Sequence, residues 1–188
     1  MAKQKREAHL ATTSVHGGHE DRVSGAPVVP PIVQSSTFHW ATPDDGELLY
    51  SRFGNNPNQL LVGAKVAAIE GTEAGVALGS GMAAVAMTLL ALTKAGDHIV
   101  AASGLYGATH ALLGQELPRR GIATTFVDPD MGEWEKALLP ETRLLYIEIP
   151  VNPTLRILDP RPIIALAKEK GVHVVCDATF SSPVNFRA

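Results

Sequence analysis

The fold class is decided by Ala74-Gly75-Val76-Ala77-Leu78-Gly79-Ser80-Gly81-Met82-Ala83-Ala84-Val85-Ala86-Met87. A short apolar run is followed by a small-residue turn and then by an alanine-rich segment, which predicts a strand, a tight turn and a helix. Gly79 and Gly81 let the backbone turn sharply and approach a ligand closely. The first N–H groups of the helix lack internal partners and carry the positive end of its dipole. The turn therefore suits a phosphate, although a plain strand-to-helix connection explains these residues equally well.

From about residue 58 the chain alternates apolar runs of strand length with segments of helical period. This alternation predicts βαβ units and a parallel sheet. The predicted strands lie near 74–78, 97–102, 122–127, 143–149 and 172–177, and the predicted helices near 58–70, 81–93, 106–117, 130–138 and 160–170. Residues 1–57 are rich in Gly, Pro, Ser and His, and their prolines interrupt regular elements. We expect an extended arm over 1–57 and a separate α/β domain over 58–188.

Composition excludes several classes of function. The chain has 188 residues and a net charge of −3, without a basic stripe that would bind nucleic acid. Its longest apolar stretch, 82–92, is about half the length of a membrane span, and no signal-peptide core follows the basic start. We expect a cytoplasmic protein with neither nucleic acid nor membrane as partner. Cys176 is expected to be a buried strand thiol, and His16 and His19 lack further ligands at zinc spacing, so no metal site is predicted.

Chemically distinctive residues follow the ends of the predicted strands, where open parallel sheets bind their ligands. The segments concerned are Gly79-Ser80-Gly81-Met82, Ser103-Gly104-Leu105-Tyr106-Gly107, Glu148-Ile149-Pro150-Val151-Asn152-Pro153 and Asp177-Ala178-Thr179-Phe180. A flat, phosphorylated heteroaromatic ligand would use the helix amides for its phosphate, Tyr106 for its ring face and Asp177 for a protonated ring nitrogen.

These segments belong to a longer ordered set of motifs: Val15-His16-Gly17-Gly18, Gly25-Ala26-Pro27-Val28-Val29-Pro30-Pro31-Ile32, Gln34-Ser35-Ser36-Thr37-Phe38, Tyr50-Ser51-Arg52-Phe53-Gly54-Asn55, Ile69-Glu70-Gly71, Gly79-Ser80-Gly81-Met82-Ala83-Ala84, Leu105-Tyr106-Gly107, Glu148-Ile149-Pro150-Val151-Asn152-Pro153-Thr154-Leu155 and Cys176-Asp177-Ala178-Thr179-Phe180. In this set the chain resembles the N-terminal half of the pyridoxal 5'-phosphate (PLP)-dependent enzymes of Cys/Met metabolism, the trans-sulfuration family. That family includes cystathionine γ-synthase, cystathionine lyases, methionine γ-lyase and O-acylhomoserine sulfhydrylases. The resemblance implies an aspartate-aminotransferase-like (type I PLP) large domain, truncated, with helices on both faces of a mostly parallel sheet and an N-terminal arm before it.

The resemblance also implies which residues bind PLP: Tyr50, Arg52, Ser80, Gly81, Met82, Tyr106, Asn152, Asp177 and Thr179. Tyr106 would stack on the pyridine ring and Asp177 would pair with the ring nitrogen, and both count as catalytic. A carboxylate keeps that nitrogen protonated, which makes the ring an electron sink for a substrate carbanion. The alternatives are that Tyr106 only packs on the sheet and that Asp177 only caps a turn.

The remaining implied contacts concern the neighbouring subunit and the ring hydroxyl. Tyr50 and Arg52 resemble a pair that reaches the phosphate from a neighbouring subunit, so a homo-oligomer, a dimer or tetramer, is expected. From the residues alone, a surface Tyr and Arg in a Pro/Asn loop is equally plausible. Asn152 resembles the residue that hydrogen-bonds the ring hydroxyl. Glu148 lies at the same strand end, where a structural role is open.

Two features set limits on the predicted activity. A PLP enzyme needs a lysine that forms a Schiff base with the cofactor, and no lysine of this sequence follows a predicted strand end. In the family this lysine follows the aspartate strand at a later position, so we expect a fragment that holds the cofactor but lacks the chemistry alone. The sequence also departs from the family pattern in two places: Asn55-Asn56-Pro57-Asn58, which has one extra residue compared with the usual Asn-Pro-Thr, and Ala178, where the family commonly has Asn. Ala108 disfavours methionine γ-lyase, which typically has cysteine there.

Two functions therefore stand side by side. The first is a PLP-dependent lyase or transferase that performs β- or γ-elimination or γ-replacement on sulfur amino acids or O-acylhomoserine, as in methionine biosynthesis and cysteine metabolism. The second is an inactive fragment that serves only as a binding or oligomerisation module. A nucleotide-dependent dehydrogenase is disfavoured because the glycine turn lacks the pattern Gly-x-Gly-x-x-Gly.

Overall fold

A computed structural model describes residues 9–18, 24–40, 42, 44, 46–129 and 132–188. Its helices are α1 (Leu10–His16), α2 (Pro57–Glu70), α3 (Gly81–Leu92), α4 (Gly107–Ala111), α5 (Trp134–Ala137), α6 (Arg161–Lys170) and α7 (Ser182–Asn185). Its strands are β1 (His98–Ala102), β2 (Ala123–Val127), β3 (Thr142–Glu148) and β4 (His173–Asp177). A π-helical turn, Leu112–Glu116, continues α4, and short 3-10 turns cover Ser51–Phe53 and Pro118–Arg120.

The four strands form one parallel sheet in the order β2-β1-β3-β4. The predicted parallel α/β architecture is confirmed. β1 is buried along its whole length, which explains why its sequence is apolar without alternation from Ile99 to Ala102. Because all strands run the same way, their carboxyl ends share one edge, and this edge carries Glu148 and Asp177 as register partners.

The core lies around β1 and β3. Leu89 of α3 and Leu113 of the π-helical turn are fully buried in the same cluster, and Ile163 and Ala167 of α6 join it. α6 ends at Gly171, whose φ of 68° is the left-handed conformation that glycine adopts at helix ends without strain. Ile163 and Ala167 are four residues apart, so they lie on one face of α6, the face that packs in the core.

At the amino-terminal edge of the sheet, opposite the edge that carries Glu148 and Asp177, a buried imidazole of β1 contacts residues of β2 and β3. His98 of β1 lies 2.8 Å by its Nδ1 from Thr142 Oγ1 of β3 and 2.9 Å by its Nε2 from Thr125 Oγ1 of β2. Burial lowers the pKa of His98, and the negative charge of Glu141 opposes this shift only in part. The neutral ring is therefore the form that suits the fold.

Several sequence predictions need correction. The strand predicted near 74–78 is wrong: no strand is assigned there, and Val76 is 83% exposed. An apolar run of this length forms a strand only if it can pair with the edge of another strand. The sheet formed by β1 to β4 does not include residues 74–78. The helix predicted over 130–138 is only α5, after Gly132 with a φ of 60°, and residues 130 and 131 lie outside the described residues.

Other differences concern the helix predicted over 106–117 and the N-terminal residues. The first is divided into α4 and the π-helical turn. The arm was expected to lack regular elements, yet α1 forms from Leu10 to His16 and contacts α2. The Lys65 ammonium of α2 donates to the Val15 carbonyl at 2.9 Å. The prolines that argued against helix lie after this segment and leave it free to form.

The chain divides into two compact units, one up to Ala77 and one from Leu78 onward. In the first unit, asparagine side chains replace regular backbone pairing. Asn58 accepts from the Val33 N–H at 3.0 Å and donates to the Val33 carbonyl at 2.6 Å, while Asn56 caps α2. The loop that departs from the family pattern thus has a structural role of its own. The domain boundary expected after residue 57 stays a prediction.

Candidate functional site

The carboxyl edge of the sheet holds a cleft of about 260 Å³, within the second unit. This volume is slightly below the usual range for small-molecule sites, about 300–1,000 Å³. The cleft is lined by Gly81, Met82, Val85, Tyr106, Thr109, Glu148, Pro150, Asn152, Asp177, Thr179 and Phe180. The structure therefore brings together six of the predicted site residues: Gly81, Met82, Tyr106, Asn152, Asp177 and Thr179.

The N-terminus of α3 supplies hydrogen-bond donors to this cleft. Ser80 caps the helix: its Oγ accepts from the Ala83 N–H at 3.1 Å, and its carbonyl accepts from the Ala84 N–H at 3.0 Å. The N–H groups of Gly81 and Met82 come before these residues, where a helix offers no internal acceptor. A Cβ built on Gly81 would meet no atom within 4 Å, so there is open space beside these amides. This arrangement fits an anionic group at the positive end of the helix.

Asp177 ends β4 and is held by three donors. Its Oδ1 accepts from the Thr179 N–H at 3.1 Å and from the Thr179 hydroxyl at 2.5 Å, and its Oδ2 accepts from the Tyr146 hydroxyl at 3.3 Å. Burial raises the pKa of Tyr146 above its ordinary value, and the charge of Asp177 adds to this rise. The phenol therefore remains a donor at neutral pH. The arrangement fixes the direction of the carboxylate that faces the cleft.

Glu148 ends β3 and is only 5% exposed. Its Oε2 accepts from the Tyr106 N–H at 2.8 Å, and its Oε1 accepts from the Asn152 N–H at 2.9 Å. Burial raises the pKa of Glu148, the two N–H bonds oppose the rise, and the negative charge of Asp177 adds to it. The carboxylate thus joins the loop after β1 to the loop after β3. This contact supports the structural role that the sequence left open.

Tyr106 immediately precedes α4, and its side chain is partly exposed beside the cleft. The residue is 49% exposed and lines the cleft. The stacking contact itself stays a prediction.

Sequence reasoning missed two polar residues of the site. Tyr146 lies two residues before Glu148 on β3, and the two-residue period of a strand places both side chains on one face. That period is the signal that could have found it. Thr109 is fully buried on α4, with its hydroxyl 3.8 Å from the Met82 sulfur. No sequence pattern marks Thr109, because only the tertiary fold brings α4 against α3.

Comparisons with known proteins agree with this geometry. Residues 11–188 match the family described as Cys/Met metabolism PLP-dependent enzyme. The chain belongs to this family. Similar curated proteins include an L-methionine γ-lyase of Fusobacterium nucleatum, 36% identical over 96% of this chain and 48% of that protein, and a cystathionine γ-lyase of Bacillus subtilis, 40% identical over 92% of this chain and 45% of that protein. The chain spans about half the length of the curated relatives it matches.

Solved structures give the same result. A structure solved as an O-acetylhomoserine (thiol)-lyase of Campylobacter jejuni, with N'-pyridoxyl-lysine-5'-monophosphate, matches with a TM-score of 0.87 and 26% identity, covering 95% of this chain and 46% of that one. A cystathionine γ-lyase of Lactobacillus plantarum complexed with L-serine matches with a TM-score of 0.85 and 34% identity, covering 94% and 46%. The PLP-type fold expected from the sequence is confirmed.

The cleft of this PLP-dependent family member offers donors and acceptors of the kinds that PLP requires. Gly81 and Met82 provide amides for a phosphate, Tyr106 provides an aromatic ring, and Asp177 provides a fixed carboxylate. The side chain of Asn152 adds an amide to the lining. The residues present therefore fit the family's cofactor.

Tyr50 and Arg52 lie in the first unit. The Arg52 guanidinium carbon is 5.7 Å from the centroid of the Tyr50 ring, and the Tyr50 N–H donates to Asn55 Oδ1 at 2.8 Å. The structure thus brings the pair together, and its contact with a phosphate stays a prediction.

Cys176 lies on β4 and is partly rather than fully buried. His19 lies outside the described residues, among which no group of three or more His, Cys, Asp or Glu could hold a metal ion. In the described part of the chain, no helix has the length and apolarity that crossing a membrane requires.

Proposed function

We propose that this chain supplies the cofactor-binding half of a PLP-dependent trans-sulfuration-type enzyme, which performs β- or γ-elimination or γ-replacement on sulfur amino acids or O-acylhomoserine. The observation that carries the proposal is the convergence of helix amides, an exposed aromatic ring, an amide and a fixed carboxylate in one cleft. The names of similar proteins, lyases acting on methionine and cystathionine, support this substrate class.

Each residue of the cleft has a proposed task. The N–H groups of Gly81 and Met82 bind the phosphate, next to the cap formed by Ser80. Tyr106 covers one face of the ring, and the Asn152 side chain hydrogen-bonds the ring hydroxyl. When bound, PLP supplies an electron sink for a substrate carbanion.

Asp177 holds the proton on the ring nitrogen, because an ionised carboxylate stabilises an adjacent positive charge. Thr179 and Tyr146 support this task, since their donors keep the Asp177 carboxylate in one orientation. A carboxylate fixed in this way loses little conformational freedom when the ring binds.

We propose further that the lysine that binds PLP covalently is not among residues 1–188. Among the residues that the structure describes, no lysine lines the cleft, and Lys170 of α6 forms ion pairs with Glu135 and Glu169. The chain by itself would then bind PLP without turning over substrate. The same observation favours the second candidate function, a binding or oligomerisation module. In a homo-oligomer, Tyr50 and Arg52 would reach the phosphate held by a neighbouring subunit.

The test is a titration of the purified chain with PLP, followed by the cofactor's absorbance. Asp177→Asn removes the charge at the ring nitrogen, and we expect at least about tenfold weaker binding, since hydrogen bonds to charged groups contribute about 1.5–3 kcal/mol. The matched control is Asp159→Asn, an exposed carboxylate paired with Arg161 outside the cleft, which should leave the affinity unchanged. Equal effects of the two substitutions would refute the site.

Borohydride reduction at equimolar PLP, followed by mass spectrometry, separates the proposals about lysine. We expect reversible binding without a stoichiometric reduced adduct. A single lysine labelled to completion would show that the chain does contain its covalent anchor.

A further inference from the structure

A single buried carboxylate joins two loops that the sequence keeps apart. One carboxylate oxygen of Glu148 accepts a hydrogen bond from the backbone N–H of Tyr106, and the other accepts one from the backbone N–H of Asn152. Tyr106 follows β1 and Asn152 follows β3, so the bond to Tyr106 crosses between neighbouring strands of the sheet. These are the two residues to which the proposed function gives contacts with the ring of PLP.

We propose that Glu148 is a positioning residue, which holds Tyr106 and Asn152 at a fixed separation so that both contact the same ring. The part of this proposal that concerns the ring rests on the proposed function. The part that concerns the two loops rests on the hydrogen bonds alone. Glu148 itself makes no proposed contact with substrate, so it acts through its two partners.

The cost of placing a carboxylate here argues against simple packing. An ionised group at 5% exposure loses most of its hydration, and well-packed apolar residues commonly replace buried charges without loss of stability. Glu148 also lies beside Asp177, its register partner on β4, so two negative charges face each other at one edge. An apolar residue would avoid both costs but could accept neither N–H. The advantage of a carboxylate at this position is therefore that it accepts hydrogen bonds from both loops at once.

The carboxylate of Glu148 suits this geometry because both of its oxygens accept hydrogen bonds. Two N–H donors that converge from different loops need two acceptors on one rigid, planar group, and a carboxylate provides them. The side chain of Gln has one oxygen and one NH2 group. In the place of the carboxylate, its NH2 group would face one of the two backbone N–H groups, and two donors cannot form a hydrogen bond. Protonation of Glu148 has a similar effect, because one oxygen then carries a hydrogen. Two changes should therefore weaken the connection between the loops. One is acidification of the native chain, and the other is the substitution Glu148→Gln.

The first experiment needs neither PLP nor a folded variant. Amide NMR spectra of the native chain are recorded across an acid titration, following Tyr106 and Asn152. We expect both signals to shift with one shared midpoint, above the ordinary value for a glutamate, because burial raises the pKa of Glu148. The Ala83 amide, whose acceptor is the Ser80 hydroxyl, should not share this midpoint. Separate midpoints for Tyr106 and Asn152 would overturn the proposal.

The second experiment measures PLP affinity. Glu148→Gln should bind PLP about tenfold more weakly, which corresponds to about 1.4 kcal/mol. The control Glu141→Gln makes the same change at an exposed position just before β3 and should bind like the native chain. An affinity of Glu148→Gln equal to that of the control would overturn the positioning role.

A double-mutant cycle distinguishes positioning from a general loss of structure. If Glu148 acts through Asn152, the losses from Glu148→Gln and Asn152→Ala combine to clearly less than their sum. The losses from Glu148→Gln and Gly81→Ala should add, because Gly81 acts on the phosphate. Full additivity in both cycles would refute the positioning role. If the native chain binds no PLP while the amide titration succeeds, the proposed function fails and the connection between the two loops stands.

Discussion

Replacement of Gly81 by alanine should separate the stability of this protein from its ability to bind an anion. Gly81 is the first residue of α3, its φ is not positive, and a Cβ at this position meets no atom within 4 Å. Alanine in a compatible conformation stabilises a protein by about 0.4–1 kcal/mol, mainly by restricting the unfolded chain. We therefore expect the free energy of unfolding to rise by that amount in urea titrations.

PLP binding should change in the opposite direction. The new methyl group occupies the open space beside the amides of Gly81 and Met82, where the phosphate is proposed to lie. Loss of one hydrogen bond to a charged group costs about 1.5–3 kcal/mol, which corresponds to about ten- to 150-fold weaker binding. The assay is the absorbance titration with PLP on the same samples used for unfolding.

Gly107→Ala is the matched control for this experiment. Gly107 also begins a helix, and a Cβ there also meets no atom within 4 Å, but the residue does not line the cleft. Its alanine variant should gain stability and keep its PLP affinity. If Gly81→Ala binds PLP as well as Gly107→Ala does, the phosphate does not lie at the start of α3. A loss of stability in Gly81→Ala would show that the space is not open.

Three further changes test other parts of the structure. Tyr146→Phe removes one donor from the Asp177 carboxylate, and PLP affinity should fall in the same titration, but by less than the roughly tenfold loss expected for Asp177→Asn, because the two donors of Thr179 still orient the carboxylate. Burial lowers the pKa of His98 from 6.5, so the unfolded chain takes up this proton first, and the free energy of unfolding in urea should fall as the pH drops below that value. His98→Gln should flatten this dependence. Leu144→Ala in the core should cost about 2–5 kcal/mol in urea unfolding, whereas Leu139→Ala, at an exposed position, should cost less than about 0.5 kcal/mol.

Each of these three has an outcome that would contradict it. An unchanged affinity of Tyr146→Phe would mean that Thr179 alone orients Asp177. A native chain whose stability is constant between pH 7.5 and 5.5, about one unit on either side of the His98 reference value, would mean that the folded chain protonates His98 without loss. Similar losses for the two leucine variants would place the core elsewhere.

The sequence was sufficient for those parts of the fold in which a local pattern determines a local structure. The apolar residues Ile99 to Ala102 predict that β1 is buried on both faces, and the glycines and the capping serine predict the start of α3. Positions just past the strand ends then located Tyr106, Asn152 and Asp177 at one cleft, because the strands of a parallel sheet end at one edge.

The sequence was insufficient where the outcome depends on a partner far along the chain. Residues 74–78 have the composition of a strand, but only a free neighbouring edge would make them one. The helix α1 depends on packing against α2, which its own residues do not reveal. The acceptor role of Glu148 could not be predicted for the same reason, since its donor on Tyr106 belongs to another loop.

The common direction of the four strands has a thermodynamic consequence. The cleft is lined by Gly81 at the start of α3 and by Asp177 at the end of β4, which are far apart in the sequence. A cofactor bound as proposed would therefore act as a removable cross-link between distant segments of the chain. At a free concentration one hundred times its dissociation constant, it would add about 2.7 kcal/mol to the free energy of unfolding. The supply of cofactor would then contribute to the stability of the fold itself.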